Sequence, residues 1–192
     1  IPCGGSAVPK ALSEGYREQT GLPILQAWGM TETSPIAVLC TLSAADQKLP
    51  QDEQAELRTT VGQIAFGVDA RVVEPGTTNP VAWDGETSGE LQCRGNWIAA
   101  TYYNDERAHE SFTKDGWLRT GDVATVDAHG RIRLVDRTKD LIKSGGEWIS
   151  SVELENEIMA HGDVVEAAVV GVPDDRWQER PLACVVRKPG AK

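Results

Sequence analysis

The stretch Trp28-Gly29-Met30-Thr31-Glu32-Thr33 sets a flat aromatic, a flexible glycine, a hydroxyl and a carboxylate in consecutive positions. Those residue types suit a purine nucleotide. The indole can pack against a base, and Gly29 lets backbone come close. Thr31 can donate to a phosphate oxygen, and Glu32 can share a magnesium ion with phosphates. Taken alone, the hexapeptide reads equally well as a strand end followed by a polar turn, so the residues around it have to decide.

Upstream, Pro9 to Thr20 reads as a short helix with Leu12 and Tyr16 on one face, stopped by Gly21 and Pro23. Pro23 to Trp28 is apolar enough for a buried strand that delivers the hexapeptide at its end. Thr41 to Thr60 is rich in Gln, Asp and Glu and reads as a surface excursion. Asp69 to Glu74 and Glu90 to Arg94 read as strands, separated by the turn-forming stretch Pro75 to Gly89. Val123 to Val126 and Arg131 to Val135 form a predicted hairpin. Ile132 and Leu134 alternate there with Arg131 and Arg133, and Asp127-Ala128-His129-Gly130 supplies the turn. That turn puts Asp122 and Arg137 at the open end of the hairpin. A carboxylate and a guanidinium so placed fit either a structural ion pair or a grip on a ribose and its phosphate.

After Asp136 the pattern changes. Ser150 and Glu153 form a capping box that opens a helix to about Ala160, and Val164 to Val172 and Leu182 to Arg187 read as strands. This tail is a small α+β unit, with a boundary expected near Arg137. Lys143-Ser144-Gly145-Gly146-Glu147 is a glycine loop ahead of that helix, a weak phosphate-loop signal by itself. Hydrophobic residues at 40% and charged residues at 25% describe a soluble globular chain. The net charge of -10 argues against a nucleic-acid backbone as partner. Cys3, Cys40, Cys93 and Cys184 lie far apart without a CxxC pair, which reads as reduced core thiols rather than zinc ligands or a disulfide framework. His109, His129 and His161 lack partners at metal or triad spacing. No apolar run reaches the length of a membrane span, and Ile1-Pro2-Cys3 lacks the features of a signal peptide, so a cytoplasmic address is expected.

The hexapeptide resembles the nucleotide-binding motif of the adenylate-forming enzymes: acyl-CoA synthetases, luciferases and peptide-synthetase adenylation domains. Further motifs follow in that family's order. Gly4-Gly5-Ser6-Ala7 is similar to the short glycine motif. Gly89-Glu90-Leu91 with Gly95 and Tyr102-Tyr103-Asn104 is similar to the next. Gly116-Trp117-Leu118-Arg119-Thr120-Gly121-Asp122 is similar to the ribose-binding segment, and Asp136 to Glu147 to the hinge segment. Ser150 to Glu155 and Arg180-Pro181-Leu182-Ala183 are similar to the fatty acyl-CoA ligase branch.

The resemblance implies an α+β fold. Residues 1–136 would be the carboxyl-side part of a large, strand-rich, barrel-like ATP- and acyl-binding domain, and residues 137–192 the hinge and an incomplete small domain. It implies ATP, Mg2+ and CoA as reactants. Gly5, Trp28, Gly29, Met30, Thr31, Asp122, Arg137, Gly145 and Gly146 would contact the nucleotide or CoA. Thr31, Glu32, Lys139 at the hinge and Lys143 would serve the reaction, with Glu32 holding the magnesium. Trp148 stands where many relatives carry a smaller polar residue. A phosphate loop would precede Gly4 and a catalytic lysine would follow Lys192, so this stretch by itself is expected to show little activity. The expected reaction joins a carboxylic acid, a fatty acid by the branch motifs, to CoA through an acyl-adenylate. Alternatives are an aryl or amino-acid adenylating enzyme that loads a carrier protein, and a non-catalytic nucleotide-binding regulatory module.

Overall fold

The computed structural model describes residues 1–5 and 8–190; Ser6, Ala7, Ala191 and Lys192, all within stretches considered above, lie outside the described residues. The chain divides into two compact units, Ile1–Leu134 and Val135–Lys192. The first carries, in order, β1 (Pro2–Cys3), α1 (Lys10–Thr20), β2 (Leu25–Trp28), a 3-10 turn (Thr31–Thr33), β3 (Val38–Leu39), a second 3-10 turn (Asp46–Lys48), α2 (Gln51–Leu57), β4 (Gln63–Ile64), β5 (Val68–Val73), β6 (Gly89–Gly95), α3 (Ala108–Ser111) and β7 (Leu118–Val126). The strand β8 (Ile132–Arg137) runs from this unit into the second. The architecture is α+β, as expected for part of a larger strand-rich domain, and among the described residues the strands form several sheets with no closed barrel.

In the first sheet β1 lies parallel to β2, and β3 and β4 continue antiparallel. The second sheet has the order β5-β6-β7-β8. One apolar cluster serves both, with Trp28 and Val38 from the first packed with Val72, Leu91, Leu118 and Ile132 from the second. Leu91 and Cys93 are fully buried on β6, and burial pushes the Cys93 thiol up to about 12. Trp117, ahead of β7, is buried with two guanidinium groups over its ring, Arg71 at 4.4 Å and Arg94 at 4.5 Å from the centroid.

The helix α1 starts after Pro9 and stops at Gly21, which takes the left-handed conformation. Its buried residue is Ser13, and Leu12 is 60% exposed, contrary to the predicted Leu12–Tyr16 face. This side of the unit packs through charge: Glu14 pairs with Arg17 at 2.7 Å and with Arg58 at 3.2 Å.

The stretch 41–60 also departs from expectation. It contains α2 and buries Gln54, Arg58 and Thr60. It pairs with arginines at the start of β8 and just before it, Arg131 with Asp46 at 2.8 Å and Arg133 with Glu56 at 3.0 Å. The Gln54 side-chain amide donates to the carbonyls of Gln47 and Leu49. Polar residues can be buried when each finds a partner, and composition alone does not separate this case from a solvated loop. The hairpin turn at 127–130 forms as predicted, with Asp127 Oδ1 accepting from the amides of His129 and Arg131.

The second unit continues with β9 (Ile142–Ser144), β10 (Glu147–Ile149), α4 (Ser151–Met159), β11 (Val164–Asp174) and β12 (Gln178–Arg187), in the sheet order β10-β9-β12-β11. Ser150 caps α4 by accepting from the Glu153 amide at 3.1 Å, and its own hydroxyl donates to the Val135 carbonyl at 2.9 Å. Asp136 is buried and accepts from the Ser151 amide at 2.7 Å and hydroxyl at 2.9 Å. Two expectations are revised in this unit. Cys184 is exposed on β12 rather than a core thiol, and Val165 and Val170 on the apolar strand β11 are exposed.

Replacing Leu91, which is fully buried, with alanine is expected to cost roughly 2–5 kcal/mol of stability. A urea melt would show a lowered midpoint, and an unchanged midpoint would contradict the packing described.

Candidate functional site

β1 and β2 run parallel, so Gly4-Gly5 and Trp28-Gly29 leave the first sheet at the same end. A Cβ at Gly4 would stand 3.1 Å from the Ala27 carbonyl oxygen, while Gly5 is exposed. Past Trp28 the chain reverses tightly. A Cβ on Gly29 would lie 1.8 Å from the Pro35 carbonyl oxygen, so only glycine fits this close approach. Thr33, fully buried, holds the reversal: its hydroxyl accepts from the Met30 amide at 2.8 Å and donates to the Pro35 carbonyl at 2.7 Å. Met30 is half-buried against the core, Thr31 is exposed and Glu32 is half-buried.

Trp28 is 7% exposed, so most of its ring is core rather than a surface for a base. Its edge has a different use. The indole Nε1 donates to Asp122 Oδ2 at 2.8 Å, across 94 residues of chain. Asp122 reaches that point because β7 bulges. Glu90 pairs with Val123 and Gln92 with Arg119, so Leu91 on β6 faces the three residues Thr120, Gly121 and Asp122. Gly121 has a φ of 75°, which lets the strand leave its ladder. The Thr120 hydroxyl ties the bulge down by donating to the Leu91 carbonyl at 2.6 Å and accepts from the Asp122 amide at 3.1 Å.

Glu32 has a partner the sequence reading did not name. The Tyr102 hydroxyl donates to Glu32 Oε1 at 2.5 Å, and the Ala99 amide donates to the Glu32 carbonyl at 2.8 Å. As acceptor of the phenol proton, the Glu32 carboxylate pushes the Tyr102 phenol above its ordinary range, and burial adds to this. Tyr102 belonged to the quoted Tyr102-Tyr103-Asn104 motif, but Tyr103 is 98% exposed, and sequence offers no means of telling the two apart. Thr33 was likewise within the decisive hexapeptide without an assigned role.

The remaining expected site residues lie in the second unit. Arg137 ends β8 and is exposed. Lys139 is exposed within a turn that Arg137 closes, its carbonyl accepting from the amides of Asp140 and Leu141. The loop at 143–147, predicted ahead of a helix, is a hairpin: Gly145 and Gly146, with φ of 62° and 90°, turn β9 into β10. Lys143 is exposed on β9, and its amide donates to Glu179 Oε2 at 2.8 Å. The Gly145 amide donates to the Trp177 carbonyl at 2.9 Å. Trp148 is on β10 and 41% exposed.

Among the described residues no group of three or more His, Cys, Asp or Glu gathers to hold a metal, and no helix is long and apolar enough to cross a membrane. A magnesium ion needs less protein than such a cluster, since it commonly takes one or two carboxylates and completes its shell with water and substrate phosphates. Glu32, half-buried with Oε1 engaged by Tyr102, fits that requirement.

Residues 1–103 match the AMP-binding enzyme family, and residues 153–192 match the AMP-binding enzyme C-terminal domain. The chain is 46% identical over 184 residues to a long-chain-fatty-acid–CoA ligase of Thermus thermophilus, covering 95% of this chain and 34% of that protein. It is 44% identical over 187 residues to a 3-methylmercaptopropionyl-CoA ligase of Ruegeria lacuscaerulensis, covering 97% and 34%. The chain therefore spans about a third of the length of the curated relatives it matches. Among solved structures, ATP-bound MatB from Rhodopseudomonas palustris superposes with a TM-score of 0.84 at 30% identity, over 99% of this chain and 35% of that one.

The Tyr102–Glu32 contact is open to a direct pH test. The raised phenol midpoint means that the folded chain holds this proton more tightly than the unfolded chain. The stabilisation is therefore fully present below the ordinary phenol midpoint of about 10 and is lost as pH rises through the raised one. In an ultraviolet difference titration, Glu32→Gln is expected to move the Tyr102 midpoint down toward the ordinary phenol range. A midpoint unmoved by the substitution would rule out the contact.

Proposed function

The chain belongs to the AMP-binding enzyme family, and from that premise we propose that it is part of an ATP-dependent acyl-CoA synthetase. The whole protein would convert a carboxylic acid, ATP and CoA to acyl-CoA, AMP and pyrophosphate through an acyl-adenylate. Residues 1–136 would belong to the large nucleotide- and acyl-binding domain and residues 137–192 to the hinge and small domain. A fatty acid is the proposed substrate class, in keeping with the long-chain ligase relative.

The observation that carries this reading is the Trp28–Asp122 hydrogen bond, which puts the ends of two distant motifs at one place in the first unit. An ionised carboxylate offers about four acceptor sites, so Asp122 can take the indole N–H and the hydroxyls of a ribose. The bulge aims it and the indole holds its orientation. Gly5, Gly29 and Met30 would line the nucleotide's approach, and Thr31, exposed on its turn, would donate to a phosphate oxygen. Glu32 would hold Mg2+, whose charge would offset that of the phosphates in the attack of the acid on the α-phosphorus. In the second unit we assign Arg137 to a ribose or phosphate, Lys139 to the hinge, and Lys143, Gly145 and Gly146 to the nucleotide and CoA.

Calorimetry with AMP and its 2′,3′-dideoxy analogue tests the reading. The chain is expected to prefer AMP by roughly tenfold or more, as for a hydrogen bond to a charged group. Asp122→Asn, which keeps an oxygen for the Trp28 indole, is expected to lose most of that preference. Equal affinity of the unaltered chain for the two ligands would refute the ribose assignment.

A further inference from the structure

Two elements pinch the turn Thr31–Thr33 that carries Glu32. From within, Thr33 closes the reversal on Met30 and Pro35. From outside, the segment after β6 approaches twice: the Ala99 amide reaches the Glu32 carbonyl at 2.8 Å, and the Tyr102 hydroxyl reaches Oε1 at 2.5 Å. The Tyr102 ring is itself braced edge-on against Phe112, with centroids 5.6 Å apart and planes at 67°. Phe112 packs on the core cluster and bridges to Leu118 at the start of β7. The phenol is therefore fixed before any ligand arrives, and it fixes the carboxylate. Tyr103, one residue on, is 98% exposed and shares none of this.

We propose that Tyr102 is a positioning residue for the metal-phosphate end of the site: its hydroxyl occupies one oxygen of Glu32 and orients the other toward a Mg2+ ion carried by ATP. This rests on the reading of the site proposed above. Magnesium demands near-ideal octahedral geometry and dehydrates reluctantly. A carboxylate free to rotate offers it a poorer ligand than one held in a single orientation. Outer partners of metal ligands commonly account for about 10–100-fold in metal affinity. The charge is supplied by Glu32 and the orientation by Tyr102.

The experiment measures binding of ATP, in Mg2+ and in EDTA, and of AMP in EDTA. The unaltered chain is expected to bind ATP more tightly with Mg2+. Tyr102→Phe, which keeps the ring and its contact with Phe112, is expected to lose roughly tenfold of that gain. Its affinity for AMP should be unchanged, and Tyr103→Phe should behave like the unaltered chain. If Tyr102→Phe fails to melt cooperatively, Phe112→Leu, which loosens the ring but keeps the hydroxyl, is expected to reduce the Mg2+ gain in the same direction. Three results decide against parts of the argument. No binding of AMP or ATP by the unaltered chain overturns the functional reading itself. Binding without a Mg2+ gain overturns the metal role of Glu32 and with it this proposal. A full Mg2+ gain in Tyr102→Phe overturns the role of Tyr102 alone.

Discussion

The first unit is organised around one hydrogen bond, from the indole of Trp28 to the carboxylate of Asp122. A buried indole N–H needs an acceptor, and a carboxylate drawn out of water needs a donor. The indole supplies one such donor, and the pair ties the last residue of β2 to the bulge in β7. The two sheets already share an apolar cluster, but apolar packing is not directional. The hydrogen bond is directional, and it specifies where the carboxylate sits. Gly121 and the Thr120 hydroxyl shape the bulge, and Gly29 lets the chain reverse tightly after Trp28 into the turn that carries Thr31 and Glu32.

The same principle recurs wherever polar groups are buried. Gln26 accepts from the Val8 amide and donates to the Arg58 carbonyl, which fastens the first helical segment and α2 to β2. In the second unit, buried Asp136 satisfies the start of α4, and Ser150 completes that cap. Gln26, Asp136 and Ser150 act as clamps between backbone segments. Among the described residues, the fully enclosed side-chain atoms without a hydrogen-bond partner are Ser13 Oγ and Arg58 Nε, both in the charged layer between α1 and α2.

Thr31 and Glu32 stand on a turn rather than inside a strand, the usual place for residues that must meet a ligand. Such a turn is useful only if something rigid positions it. Thr33 does so from the core and Tyr102 from the neighbouring segment. On the proposed reading, the two side chains that would face the ligand are held by two that would not.

Much was legible in the sequence. Gly21 and Pro23 end α1, Asp127 to Gly130 turn the β7–β8 hairpin, and Ser150 caps α4. Each of these is local chemistry, in which backbone angles and near-neighbour hydrogen bonds follow from residue type. The ordered motifs from Gly4 to Glu147 also stand in the sequence, and the family match over residues 1–103 agrees with those it covers. What the sequence left open depended on partners far along the chain. It did not distinguish Tyr102 from Tyr103, since only one meets Phe112 and Glu32. It read 41–60 as a solvated loop, since Arg131 and Arg133, with which this stretch pairs, are more than 70 residues away. It cast the Trp28 ring as a surface for a base, whereas tertiary packing buried the ring and put its N–H to use. Residue types dictate local conformation; burial, and the pairing that burial forces on polar atoms, belong to the folded chain.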